Sequence, residues 1–130
     1  MSRFLSVGAV AACVVSGFAF AADHTTDSLD TVKKSVGAGK AVLVDVRETE
    51  EWQDGHLKDA KHLALSELKA GVPAEKLKKV VPAGTVVYLH CAAGGRCLVA
   101  AEVLKKQGYD ARPLKAGYES LVKEGFEKAK

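Results

Sequence analysis

The sequence predicts an α/β domain, a mostly parallel sheet of about five strands with helices on both faces. Three observations point there. Short β-branched apolar runs alternate with helix-forming stretches along the chain. One run, Ala41-Val42-Leu43-Val44-Asp45-Val46, is nearly continuous in apolar residues, as a strand covered on both faces requires. A second, Thr85-Val86-Val87-Tyr88-Leu89-His90, leads through Cys91 and a glycine loop into the helix-like stretch Leu98 to Lys106.

The elements follow in order. Ala22 to Thr26 reads as a short flexible lead. Thr26 or Asp27 caps a first helix to about Val36, with Leu29, Val32 and Val36 on one face and Gly37-Ala38-Gly39 at its end. After the first strand, Arg47 to Trp52 forms a short helix or turn, broken at Gly55-His56-Leu57. Ala60 to Leu65 is a second strand. Ser66 caps a helical piece that Gly71 stops, and Pro73, at a first helical position, opens another to about Val80. Pro82-Ala83-Gly84 turns into the strand that ends at His90. The following helix stops at Gly108. Tyr109 to Leu114 is a last strand, and Gly117 leads to a terminal helix from Tyr118 to about Phe126. No internal repeat or low-complexity segment interrupts this order.

Composition bounds the function. The 130 residues suit one domain, and 48% apolar content is enough for a core. A net charge of +3 spread along the chain and 6% aromatic residues give no basic patch or stacking platform, so no nucleic-acid partner is expected. The first residues are a separate matter. Arg3 precedes an uncharged apolar run from Phe4 to Phe20, and Ala19-Phe20-Ala21 has the small-x-small pattern of a signal-peptidase site. Residues 1–21 are therefore expected to be a cleaved signal peptide, and 22–130 the exported domain, periplasmic and free of the membrane after cleavage. An uncleaved anchor fits less well, because the run is short for a span. Val10-Ala11-Ala12-Cys13 loosely resembles a lipobox, but the apolar run continues well past Cys13.

Cys91 stands where a strand ends and a loop turns into a helix. Unpaired N–H groups at a helix start favour an anion, and favour thiolate over thiol. Arg96 adds a permanent charge with a planar fork. Such a constellation suits sulfur or phosphate chemistry. Without residues 1–21 the chain keeps two cysteines, Cys91 and Cys97. In an oxidising compartment the two are a possible disulfide, though so short a closure constrains little of the unfolded chain.

Four segments in order resemble the rhodanese (sulfurtransferase) family. Leu43-Val44-Asp45-Val46-Arg47-Glu48 resembles its early Asp-Val-Arg segment, and Glu51-Trp52-Gln53-Asp54-Gly55-His56-Leu57 its acid-aromatic-x-x-Gly-His-aliphatic segment. Cys91-Ala92-Ala93-Gly94-Gly95-Arg96 resembles its Cys-x-x-Gly-x-Arg active loop, and Leu114-Lys115-Ala116-Gly117-Tyr118 its late Leu-x-Gly-Gly segment. The chain departs at Lys58-Asp59-Ala60, where the family has Pro-Gly-Ala, at Ala116, where it has glycine, and at Cys97, where many members have serine. The resemblance implies a single-domain rhodanese-like fold and a persulfide on Cys91, formed from thiosulfate or a similar donor and passed to a thiophilic acceptor. Only Ala92, Ala93, Gly94 and Gly95 separate Cys91 from Arg96. The related phosphatase loops are one residue longer, so a phosphatase is a distant alternative.

In this reading Cys91 is the nucleophile, Arg96 binds the anion or braces the loop on Asp45 or Glu48, and residues 92–96 form the substrate-binding loop. Cys97 is either a small residue packed in the first helical turn or a resolving thiol. Asp45 and Arg47 are supporting residues that brace the strand ends. His90 is a satisfied core histidine, His56 bonds backbone in its turn, and Trp52 packs. Lys61, Lys115 and Arg112 read by default as solvated surface, with a positive rim for anionic donors as the other reading. No His/Cys spacing suits a metal, and neither metal nor cofactor is expected. The expected partners are a small anionic sulfur donor and a thiophilic acceptor, either a small molecule or a protein. The rival functions are a thiol–disulfide or polysulfide redox protein using Cys91 and Cys97, and a sulfur-carrier binding module with little turnover.

Overall fold

The computed structural model describes residues 22–130, so the expected signal peptide lies outside the described residues. The elements run α1 (Leu29–Gly37), β1 (Ala41–Asp45), α2 (Thr49–Gln53), β2 (Ala60–His62), α3 (Leu65–Ala70), α4 (Ala74–Val80), β3 (Val86–His90), α5 (Arg96–Lys106), β4 (Asp110–Pro113) and α6 (Tyr118–Lys123). The sheet order is β2-β1-β3-β4, and every pairing is parallel. Among the described residues no helix is long and apolar enough to cross a membrane.

The sheet has four strands rather than about five. Its β4 edge is covered instead of extended. Beyond β4, Thr25 of the lead donates its N–H to the Pro113 carbonyl at 2.8 Å. Pro113 has no N–H to return, so a further strand does not build there. Elsewhere an isolated antiparallel bridge joins Leu57 to Lys128. The lead is accordingly pinned, not flexible.

Strand alternation splits the core in two. Val44, Val87 and Leu89 face the side covered by Leu68 of α3, Leu77 of α4 and Leu104 of α5. Leu43 and Tyr88 face Val32 of α1 and Leu121 of α6 on the other. Register places Asp45 opposite both His62 of β2 and His90 of β3. The carboxyl ends of the central strands therefore converge on one point, where open parallel sheets hold their ligands.

Three caps differ from expectation. Ser28 caps α1 by accepting from the Thr31 N–H, because the Asp27 carboxylate is taken by the Tyr88 hydroxyl at 2.7 Å and Arg112 at 2.8 Å. Ala64, not Ser66, precedes α3, and the Ser66 hydroxyl donates to Glu48 Oε1 at 2.6 Å. Pro73 sits one residue before α4, in extended backbone.

Candidate active site

Cys91 follows the last residue of β3, and α5 begins at Arg96. Cys91 is 1% exposed. Its sulfur accepts a hydrogen bond from the Gly94 N–H at 3.0 Å. The Cys97 thiol and the backbone N–H groups of Cys97, Ala93 and Gly94 together hold the Cys91 pKa down to about 4, against the cost of burial. Three residues, Ala93 and Gly94 in the loop and Cys97 in the first turn of the helix, thus favour thiolate over thiol at a buried sulfur.

Cys97 lies in the first turn of α5, 0% exposed and packed in the core. Both it and Cys91 are free cysteines. Its single S–H has three acceptors in reach: the Cys91 sulfur, and the carbonyls of Gly94 and Leu114, each at 3.3 Å. An ionised sulfur is the strongest of these acceptors, so the proton serves Cys91 when Cys91 is a thiolate. The hydrogen bond to Cys91 and burial push the Cys97 pKa up.

The loop is seated on the segment after β4. Tyr118 donates its N–H to the Cys91 carbonyl at 2.9 Å. A Cβ on Gly117 would lie 1.8 Å from the Ala92 carbonyl oxygen, and one on Gly94 2.7 Å from that of Lys115. Gly94 also has φ +92°, a conformation glycine adopts freely. These contacts explain why glycines stand at both positions. The first glycine of the late pair is Ala116 here, which packs against the α1/α6 core.

Arg96 braces the loop, but on neither expected partner. Its guanidinium meets Glu51 of α2 in a two-pronged pair, Nη1–Oε1 2.6 Å and Nη2–Oε2 2.9 Å. Arg96 holds the Glu51 carboxyl down to about 2. Glu51 Oε1 also accepts the Glu48 N–H at 3.0 Å, closing the capping box of α2. Asp45 instead pairs with Arg47: both are buried, and Arg47 Nε and Nη2 donate to the carboxylate at 2.8–3.0 Å. Arg47 reaches on to the Gly55 carbonyl at 2.7 Å and lies 4.2 Å from the Tyr118 ring centroid. The supporting pair thus ties β1 to the Gly-His turn and to α6.

His90 is buried but not satisfied. Its Nδ1 lies a long 3.4 Å from the Cys91 carbonyl, and Nε2 has no hydrogen-bond partner, 3.8 Å from Asp45 Oδ2. Burial lowers its pKa, which favours a neutral ring. His56 Nδ1–H donates to the Trp52 carbonyl at 2.9 Å, as expected, and Trp52 stacks on both His56 and His62. Lys61 and Lys115 are exposed, but Arg112 is engaged by Asp27 and Asp110 and is not a free rim charge. Among the described residues no three His, Cys, Asp or Glu side chains converge to hold a metal ion.

Two site contacts are not legible in the sequence. One is that of Glu51, which reads there only as the acid of the Gly-His segment, with Arg96. The other is that of His24, whose Nε2 lies 2.6 Å from the Gly94 carbonyl oxygen.

Residues 28–124 match the family model of the rhodanese-like domain. The chain belongs to the rhodanese-like domain family. It is similar to the human single-domain sulfurtransferase TSTD1, with 25% identity, a TM-score of 0.63, and 76% of this chain and 96% of that one covered. It is also similar to the Bacillus anthracis protein CoADR-RHD in its reduced form, with 28% identity, a TM-score of 0.62, and 80% of this chain and 18% of that one covered. YrkF of Bacillus subtilis (strain 168), named as a candidate sulfur carrier, is 31% identical over 83 residues, which are 63% of this chain and 42% of YrkF. YqhL of the same organism, an uncharacterized protein, is 38% identical over 72 residues, 55% of this chain and 52% of YqhL. This rhodanese-like chain thus aligns with about half the length of the curated relatives it matches.

Proposed function

We propose that this rhodanese-like protein is a sulfurtransferase that carries a sulfane sulfur on Cys91, taking it from thiosulfate or a similar anionic donor. One observation carries the reading. The Cys91 sulfur is held as a thiolate, pKa about 4, by the amides of its own loop and the Cys97 thiol. In the first half-reaction the thiolate attacks the outer sulfur of thiosulfate. A new S–S bond forms to Cys91, the bond between the two donor sulfurs breaks, and its electron pair leaves with sulfite. The persulfide anion then rests in the amide cradle, as an oxyanion rests in its hole. In the second half-reaction a thiophile such as cyanide or a thiolate attacks the terminal sulfur, and the electron pair of the broken bond returns to Cys91 as thiolate. The likeness to a single-domain sulfurtransferase supports this order.

The acceptor in this proposal is a small thiophile or a thiol on another protein. The loop offers only the Ala92 and Ala93 methyl groups beside its glycines, so it selects by reach and charge rather than by side-chain fit. The apolar N-terminus supports export to the periplasm. A sulfur-carrier role with little turnover is the second reading, favoured by the near-complete burial of Cys91. The redox reading has less support, because Cys97 is buried, its pKa is raised, and its S–H is committed to acceptors around Cys91.

Steady-state formation of thiocyanate from thiosulfate and cyanide tests the proposal. A double-displacement enzyme gives parallel double-reciprocal lines, and C91S gives no product. One equivalent of sulfite without turnover indicates the carrier. No sulfite at all overturns both.

A further inference from the structure

We infer that His24, in the lead before α1, is a positioning residue for the Cys91 loop: by holding the Gly94 carbonyl it fixes the Gly94–Gly95 peptide and keeps the amide cradle aimed at the sulfur. The inference rests on the sulfur-transfer reading above and adds a residue to its machinery.

His24 Nε2 and Gly94 O are 2.6 Å apart. A carbonyl oxygen only accepts, so His24 Nε2 bears the hydrogen. The same oxygen has the Cys97 S–H 3.3 Å away. The N–H of this same glycine is the one that meets the Cys91 sulfur at 3.0 Å. Gly94-Gly95 is the part of the loop with the fewest steric limits on its torsions. The Gly94 N–H lies in the adjoining peptide, joined to this one at the Gly94 Cα, so a change in the Gly94 torsions with the carbonyl released would carry the N–H away from the anionic sulfur. His24 opposes that change, and the Lys115 carbonyl confines the glycine as well: a Cβ on Gly94 would meet both, at 3.4 and 2.7 Å.

The histidine is itself well anchored. Thr25 donates its N–H to the Pro113 carbonyl at 2.8 Å, and Ala22 packs on the core that holds Cys91 and Cys97. Asp27 follows, fixed by Tyr88 and Arg112. The lead therefore reaches the loop as a tied strap, with His24 as its one contact to the Gly94 carbonyl.

The test compares His24→Ala with His24→Gln, whose amide N–H is able to donate to the same carbonyl. Ultraviolet thiolate absorbance gives the Cys91 pKa, and Cys97, with its raised pKa, stays silent over the acid range. Single-turnover sulfite release gives the rate of sulfur loading. In H24A the apparent Cys91 pKa is expected to rise by about one unit and loading to slow roughly tenfold at acid pH, the size of one lost hydrogen bond. In H24Q both return most of the way. Unchanged pKa and loading in H24A overturn the inference. So does an H24A protein that melts early, or does not fold, while the Cys91 pKa of H24Q is also displaced, since the contact is then structural. If the wild-type protein takes up no sulfur, the sulfur-transfer reading fails, and the pKa comparison still decides the role of His24.

Discussion

The Arg96 guanidinium and the Glu51 carboxylate meet fork to fork, at 2.6 and 2.9 Å, and join the start of α5 to α2. Both side chains are about one-third exposed, 35% and 36%, so water screens the pair. Replacing Glu51 by Gln removes the charge and weakens the capping box at the same time. A loss of about 1 kcal/mol is expected, measured as a lower urea midpoint at unchanged slope. Because Glu51 is held to about 2 from an ordinary 4.5, its contribution is fully present above pH 4.5 and lost as pH falls to about 2. The wild type should therefore lose its advantage over E51Q across that window, and equal stability of the two at neutral pH would contradict the pairing.

The thiolate has a pH signature of its own. The folded pKa of Cys91, about 4, lies below the ordinary 9.0 of a free thiol. Ionised Cys91 therefore stabilises the fold fully above pH 9, less as pH falls, and not at all below about 4. Cys97 acts oppositely above pH 9, where the unfolded chain ionises and the folded one does not. Iodoacetamide should alkylate Cys91 at pH 5 at a rate that hardly rises toward pH 7. A rate that climbs tenfold per pH unit through this range would mean an ordinary thiol.

The Cys97 thiol is the largest influence lowering the Cys91 pKa. Cys97→Ser keeps a donor of similar size, and Cys97→Ala removes it. The Cys91 pKa is expected to stay near its wild-type value in C97S and to rise by about one unit or more in C97A, read by thiolate absorbance. Sulfur transfer should survive in C97S. Its loss there would bring back the resolving thiol.

Asp45 and Arg47 form a buried pair, 0% and 6% exposed. Asp45→Asn leaves the guanidinium charge without its carboxylate inside the protein. A loss of about 3–5 kcal/mol is expected, visible in chemical denaturation. A change below 1 kcal/mol would mean that Arg47 is held by Gly55 and Tyr118 alone.

Much of this arrangement is legible along the chain. The apolar runs from Ala41 and Val86 place β1 and β3, because strands covered on both faces must be apolar throughout. Cys91, at the end of one run with glycines behind it, is legible for the same reason. What is not legible depends on contacts between distant segments. Asp27 reads as a helix cap as well as Ser28 does; only the meeting with Tyr88 and Arg112 takes it away. Arg96 has Asp45, Glu48 and Glu51 to choose among, all far away in sequence, and only the placement of α2 beside the start of α5 selects Glu51. His24 sits in a polar lead with no periodicity at all, and its role comes from where the lead lands. His90 looks like a core residue that finds partners, yet the register that sets it opposite Asp45 leaves its Nε2 3.8 Å from Asp45 Oδ2, beyond hydrogen-bond reach.

The most direct measurement is the intact mass of the protein before and after thiosulfate, with C91S alongside. A gain of one sulfur atom is expected, removed by cyanide and absent in C91S. No gain of sulfur, with a loss of two hydrogens on mild oxidation, would show Cys91 and Cys97 pairing instead and would contradict sulfur transfer through Cys91.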